Sequence, residues 1–198
     1  TRSHAWKIKG VDQPLAAMES AGYKDLYAYQ FDWDHQQSSL LIDFPSLFGA
    51  AHGTDIAFVT GNFTYGPISA YVYPETEARD QMEDTVMSAW TNFAKGAVPD
   101  IEKSLQWQKF STASPQFLRL DKDDALRMDV EQDNVDSLLN RMAGSPAPTD
   151  LERCYIAWET FTNVGNADPE GYTSWNSGLC ANVDMRAEQR AIAAKLLA

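Results

Sequence analysis

Two neighbouring stretches, DLYAYQFDW at residues 25–33 and FGAAHGTDIAFVTG at residues 48–61, decide the fold class of this chain. In the first stretch aromatic residues alternate with small or polar ones, and such a period of two predicts a β-strand. A long connection, residues 34–54, follows the strand, and a connection of that length is usually functional in a compact protein. It leads to a histidine between glycines and then to a short apolar run.

Helical and strand patterns continue along the rest of the chain. Residues 75–95 carry apolar side chains at three- and four-residue spacing and end before Gly96, which predicts an amphipathic helix. The other predicted elements are helices at 14–22, 151–161 and 184–198, strands at 116–121 and 125–130 paired as a hairpin, a linker at 145–150 and a loop at 163–183. This mixture of helices and strands predicts an α/β fold.

The charge balance excludes two classes of partner. The chain has 198 residues, with 16 Lys and Arg against 28 Asp and Glu, and its net charge is −12. A nucleic-acid-binding protein needs a basic face for phosphates, and a polybasic membrane anchor needs clustered lysine and arginine. No stretch approaches the ~20 apolar residues of a membrane span. We therefore expect a soluble protein without a nucleic-acid or membrane partner.

His52 is the candidate catalytic base. Histidine is the usual general base at neutral pH because its pKa lies near the operating pH. His52 lies between Gly49 and Gly53, and small neighbours permit a close approach of the backbone to a cleft. The alternative is a loop histidine without a function, and the local pattern leaves both interpretations open.

Five segments, in the same order, resemble the C-terminal portion of type-B carboxylesterases, the cholinesterase-like branch of the α/β-hydrolases. They are the strand at 25–33, the G-x-x-H-G segment at 48–61 with its following acid and Phe-Val run, MSAWTNFAKGAVPD at 87–100, WQKFSTASPQFLRLD at 107–121 and RCYIAWETF at 153–161. The resemblance implies the last sheet strands, the histidine loop and the packing helices of an α/β-hydrolase. It makes residues 1–161 the C-terminal part of the catalytic domain and residues 162–198 a loop and C-terminal helix extension.

The resemblance implies a serine carboxylesterase with His52 as the triad histidine. Gly53 and Asp55 would support the histidine, although an ordinary turn role for Asp55 is an alternative. Leu47 and Phe48, just before the histidine segment, would line the acyl or alcohol pocket.

The position of His52 near the start of the chain has a consequence for the other catalytic groups. In this fold the serine comes first, then the acid, then the histidine. We therefore expect the nucleophile, the acid and the oxyanion hole in an N-terminal portion of the same protein, since the chain begins with Thr1 and not with Met. The expected partners are that portion and a small-molecule ester. No cofactor is expected, and the isolated chain should be inactive.

Two competing hypotheses remain at this point. Some cholinesterase-like domains have lost the serine and act in binding or adhesion. The chain is alternatively a free-standing small domain that only resembles the family. An upstream G-E-S-A-G-type segment would favour the enzyme over the binding module.

Two local patterns resemble functional sites but do not predict one. Ser20 lies in an E-S-A-G sequence, but Met18 replaces the first glycine of G-x-S-x-G, so we expect a serine at the end of a helix. Asp32, Asp34 and His35 form D-x-D-H, a spacing that matches no strong metal signature, and no metal site is predicted.

Cys154 and Cys180 are the two cysteines of the chain. Cys154 falls where the family has a disulfide cysteine, but the family's usual upstream partner is absent here. A bond between Cys154 and Cys180 and two unpaired thiols are both consistent with the sequence. Localisation stays open, with a periplasmic or secreted protein favoured if the two cysteines are bridged.

Overall fold

A computed structural model of the protein describes residues 2–96, 98–101, 105–146 and 148–196, apart from the side chains of Arg2 and Leu196. Residue 97 of the predicted 87–100 segment, residue 147 of the predicted linker and the last two residues of the predicted final helix lie outside the described residues. In the described part of the chain no helix is long and apolar enough to cross a membrane.

Ten α-helices and three β-strands are found in the described residues. The helices are α1 (Arg2–Lys7), α2 (Gln13–Ser20), α3 (Phe44–Phe48), α4 (Ile56–Thr60), α5 (Ser69–Val72), α6 (Glu77–Ala94), α7 (Val135–Gly144), α8 (Asp150–Trp158), α9 (Pro169–Gly178) and α10 (Met185–Leu196). The strands are β1 (Tyr29–Phe31), β2 (Gln116–Leu120) and β3 (Arg127–Val130). Short π-helical turns follow α1 (Ile8–Asp12) and α8 (Glu159–Asn163), and a 3₁₀ turn, Asp123–Ala125, joins β2 to β3.

The chain divides into two compact units. One consists of Thr1–Ala21 together with Gln132–Ala198, and the other of Gly22–Glu131. All three strands and His52 belong to the second unit, and both cysteines belong to the first. The predicted domain boundary between residues 161 and 162 refers to the correspondence with the family and stays a prediction.

The three strands form one mixed sheet in the order β1-β2-β3. β1 runs parallel to β2, with Tyr29 opposite Leu118, and β3 returns antiparallel to β2, with Gln116 opposite Val130. The predicted hairpin is therefore confirmed. The predicted strand at 25–33 is too long, because only three of its residues pair in the ladder. A parallel pair needs a long crossover, and the chain between β1 and β2 supplies it with α3 to α6.

The core of the Gly22–Glu131 unit is apolar and aromatic. Leu118 and Leu120 of β2 share it with Met82, Val86 and Ala89 of α6. The apolar face of α6 is thus buried as its periodicity predicts, except for its last aromatic residue, Phe93, which is half exposed. The hydroxyl of Thr76 caps this helix by accepting a hydrogen bond from the Arg79 amide.

The other unit is helical and contains a disulfide between Cys154 and Cys180, whose Cα atoms are 5.4 Å apart. Both cysteines are buried among apolar side chains of α7 to α9. Reciprocal side-chain bonds cap two of the helices at their N-termini, between Asn134 and Ser137 in α7 and between Thr149 and Glu152 in α8.

One sequence-based expectation was wrong in this unit, because the predicted loop at 163–183 contains helix α9. The Asp168 carboxylate accepts a hydrogen bond from the Gly171 amide, and Pro169 occupies the first turn, which together start the helix. Tyr172 buries one face of α9 against the disulfide cluster. The helix leaves regular geometry at Asn176 and Ser177, whose φ angles are 48° and 58°. The Gly-, Ser- and Asn-rich composition of residues 163–183 therefore did not indicate this short helix, which is stabilised by tertiary burial.

Candidate active site

The candidate site is carried by the connection that leaves the C-terminal end of β1. The C-terminal ends of β1 and β2 meet at the same sheet edge because the strands are parallel, and the Asp32 amide donates to the Leu120 carbonyl over 3.0 Å. Ligands of open α/β sheets bind outside this kind of edge. This connection, together with Asp55 directly after it, carries every residue proposed from the sequence as part of the site except the cysteines.

His52 is exposed on a tight turn. The Ala51 amide donates to the Gly49 carbonyl over 2.9 Å, and the Thr54 amide and hydroxyl both donate to the Ala51 carbonyl, over 3.1 and 2.6 Å. Gly49 and Gly53 have φ angles of 52° and 88°, a left-handed region that favours glycine. The glycines around His52 thus allow the backbone to reverse on both sides of the imidazole.

Two tyrosines hold the C-terminal side of this turn. The buried Tyr73 hydroxyl donates to the Thr54 carbonyl over 3.1 Å, and the Tyr29 hydroxyl donates to Asp55 Oδ2 over 3.0 Å. Burial, reinforced by the nearby Asp55 charge, raises the pKa of Tyr29 to about 12. Burial, with smaller effects of Tyr65 and Asp55, likewise raises the pKa of Tyr73 to about 12. Both phenols are therefore protonated at neutral pH and able to donate.

Three consecutive residues, 35–37, hold the N-terminal side of the connection. His35 Nε2 lies 2.7 Å from Asp121 Oδ1, just beyond β2. Gln36 Nε2 donates to the Gly49 carbonyl over 2.8 Å, and the Gln37 amide donates to the Tyr71 carbonyl over 2.8 Å. No local pattern in the sequence indicates these contacts or those of the two tyrosines, because each joins residues that are distant along the chain.

Leu47 and Phe48 form the end of the short helix α3. The Asp43 carboxylate caps this helix by accepting from the Ser46 amide and hydroxyl and from the Ser38 hydroxyl, and these bonds lower the pKa of Asp43. Leu47 is exposed over 67% of its surface. The Phe48 ring is half-buried, with its centroid 6.1 Å from that of Tyr65. Leu47 is thus accessible to a partner or substrate, and Phe48 packs against Tyr65.

The acidic residues of the D-x-D-H sequence do not converge on a common point. Asp32 is ion-paired with Arg119, whose other terminal nitrogen lies 3.0 Å from Asp129. Asp34 is 3.8 Å from His35 Nδ1. In the described residues no group of three or more His, Cys, Asp or Glu side chains is arranged to hold a metal ion.

Ser20 is the last residue of α2, as expected for a serine at a helix end. Its hydroxyl donates to the Ala16 carbonyl one turn earlier, over 2.9 Å. A nucleophile elbow would instead place the serine on a sharp turn from a strand into a helix. The local structure around Ser20 therefore differs from that of an esterase nucleophile.

Comparisons with known proteins agree on one family. The sequence profile of the carboxylesterase family matches residues 9–138. Carboxylesterase 3 of Homo sapiens is 33% identical over 92 residues, which are 46% of this chain and 16% of that protein. Para-nitrobenzyl esterase of Bacillus subtilis is 27% identical over 128 residues, which are 64% of this chain and 24% of that protein.

A solved structure of a PNB esterase is 24% identical, with a TM-score of 0.45, and the match covers 62% of this chain and 22% of the esterase chain. The chain therefore spans less than a quarter of the length of these relatives. Because the family profile covers more than half of the 198 residues, the resemblance inferred from the five segments and the α/β-hydrolase fold class are confirmed, and this chain belongs to the carboxylesterase family.

Proposed function

We propose that the complete protein hydrolyses carboxylic esters through an acyl-enzyme intermediate, with His52 as the general base and acid. The observation that carries this proposal is the presentation of His52, which is exposed on a turn between two left-handed glycines in the connection that follows β1. Membership of the carboxylesterase family supports the reaction class. The relatives are several times longer than their match to this chain, which leaves room for the catalytic groups that this chain does not supply.

The role of His52 in this proposal is proton transfer. The imidazole removes the proton of a serine hydroxyl as the oxygen attacks the ester carbonyl, and then protonates the leaving alcohol. In the second half of the reaction it activates a water molecule that releases the acid. Serine, acid and oxyanion hole precede histidine in this fold, so they come from a portion of the protein N-terminal to this chain. The isolated chain is then inactive.

The residues around His52 fix where the imidazole points. Gly53 allows the reversal of the backbone directly after it, since a Cβ at this position would be strained by the φ of 88° although nothing lies within 4 Å of it. Asp55 supports the same turn through its bond to Tyr29. Leu47 and Phe48, on the approach to the turn, line the acyl or alcohol pocket.

The exposed apolar side chains of the Gly22–Glu131 unit support an extensive contact with the N-terminal portion of the protein. Leu40 and Leu41 are almost fully exposed, and Leu47 and Ile56 are more than half exposed. Leu40 and Leu41 are neighbours in the sequence, and contiguous exposed apolar surface commonly marks an interaction site. The disulfide supports a periplasmic or secreted location, since such bonds persist in oxidising compartments.

Ester hydrolysis by the complete protein, with and without the substitution His52→Ala, tests the proposal. We expect kcat for an aryl acetate to fall by about 10⁴-fold or more, as when a triad member is removed. His4→Ala is the matched control, since His4 is also exposed but belongs to helix α1 of the other unit, and it should keep full activity. Undiminished hydrolysis by the His52 variant would refute the assignment. An inactive wild-type protein would instead favour a binding or adhesion module.

A further inference from the structure

Gln36 is a buried polar residue in the connection between β1 and His52. Only 6% of its surface is exposed, and its Nε2 donates to the Gly49 carbonyl over 2.8 Å. Its two neighbours in the sequence are anchored elsewhere, His35 to Asp121 and the backbone of Gln37 to Tyr71. The backbone that carries Gln36 is therefore held on both sides, and its amide is a fixed donor.

The carbonyl that Gln36 contacts starts the turn of His52. The Gly49 carbonyl also accepts from the Ala51 amide over 2.9 Å, so one oxygen joins the side chain of Gln36 to the residue directly before His52. Gly49 itself has a φ of 52° and a ψ of −147°, a conformation that glycine tolerates. Because glycine has no side chain to restrict its backbone, contacts from elsewhere in the chain help to select this geometry.

The side-chain oxygen of Gln36 indicates that this residue does not serve stability alone. In the described part of the chain its Oε1 is buried and has no hydrogen-bond partner. Burial of an unsatisfied polar atom opposes folding, and a methionine of similar length would fill the same space without that penalty. A glutamine at this site therefore contributes its N–H donor at the cost of burying an oxygen without a hydrogen-bond partner in the described residues.

We propose that Gln36 is a positioning residue that fixes the His52 turn through the Gly49 carbonyl. This inference rests on the proposed function, because it concerns the placement of the same imidazole. Catalysis is sensitive to such placement, since a shift of about 1 Å in a reacting group can cost roughly 100-fold in rate. Gln36 itself touches neither the imidazole nor the substrate in this role.

The test uses the complete protein with the substitution Gln36→Met and a fluorophosphonate probe. In this reaction the serine oxygen forms a bond to phosphorus, fluoride leaves, and His52 accepts the serine proton. We expect the rate constant of phosphonylation and kcat for an ester to fall roughly 10- to 100-fold. The final labelling should still reach one probe per molecule, and KM should change little. The thermal midpoint should not fall, because the lost hydrogen bond to Gly49 is offset by removal of the buried oxygen that has no partner in the described residues.

Gln37→Met is the matched control, because the Gln37 side chain is exposed and its tether is a backbone amide. This control should phosphonylate at the wild-type rate. Gln36→Glu, assayed at a pH at which the new carboxyl group is ionised, should fall at least as far as Gln36→Met, because a carboxylate has no proton to donate to the Gly49 carbonyl.

Three outcomes separate this inference from the proposed function. A wild-type rate constant in Gln36→Met, with His52→Ala inactive, would overturn the role of Gln36 alone. Incomplete labelling at an unchanged rate constant would show a loss of folded molecules and would also overturn it. Full phosphonylation of the His52 variant would overturn the proposed function itself, whatever the behaviour of Gln36.

Discussion

Reduction of the disulfide between Cys154 and Cys180 should destabilise the helical unit that contains both residues. The bond closes a loop between residues that are 26 positions apart. The chain-entropy relation for a loop of this length gives a loss of about 3.5 kcal/mol in the free energy of unfolding. Both sulfur atoms remain in place on reduction, so this figure contains no term for lost side-chain volume.

Guanidinium unfolding of the oxidised and reduced protein, followed by tryptophan fluorescence, measures this effect. Trp158 and Trp175 pack against the apolar cluster that surrounds the disulfide and are the natural reporters. With a slope of about 2–6 kcal/mol per molar guanidinium, the midpoint should fall by roughly 1 M. Mass spectrometry checks that the oxidised sample has the bond and that the reduced sample has two additional hydrogens.

A control separates the bond from the reducing agent. The double variant Cys154→Ser with Cys180→Ser has no bond to reduce, so its midpoint should not respond to the reagent. Equal midpoints for verified oxidised and reduced protein would refute the reasoning, because the cross-link would then not restrict the unfolded chain.

Two further predictions concern the turn of His52. Gly53→Ala should cost about 1–2 kcal/mol in unfolding free energy and lower esterase activity, because its φ of 88° is strained for alanine. Gly10→Ala, in open space at an ordinary φ, is the control and should be neutral. Equal losses of unfolding free energy in both variants would contradict this reasoning. The pKa of Tyr73 is raised from 10.0 to about 12, so folding favours the neutral phenol; its stabilising contribution is complete below pH 10 and is lost as the pH rises towards 12. Denaturant unfolding at pH 9 and 11.5 should therefore show a smaller loss in Tyr73→Phe than in the wild type, and parallel losses would contradict the assignment.

The catalytic candidate itself was recognisable from the sequence, but its support was not. His52 stands between glycines in a segment whose order and spacing are characteristic of the family, and these are properties of neighbouring residues. Tyr73 reaches Thr54 across 19 positions, and Tyr29 reaches Asp55 across 26. No local period relates such pairs, so only the folded chain could identify them.

Elements with a strong internal signal were predictable for a related reason. Helix α6 and the β2–β3 hairpin have the periods of 3.6 and 2 that burial of one face requires, and the structure places both within a few residues of the prediction. Helix α9 and the limits of β1 were missed, because a helix of ten residues with a polar composition and a strand of three depend on what packs and pairs with them.

The amino-acid sequence by itself determined the family of this protein, the α/β character of its fold and the candidate histidine, because order, period and glycine placement are all local properties. Tertiary structure decided which donors hold the histidine turn, whether the two cysteines are bonded to each other and which acidic residues form ion pairs with arginine. These contacts join residues that are remote in the chain, and their geometry exists only once the sheet and the core bring the surrounding segments together.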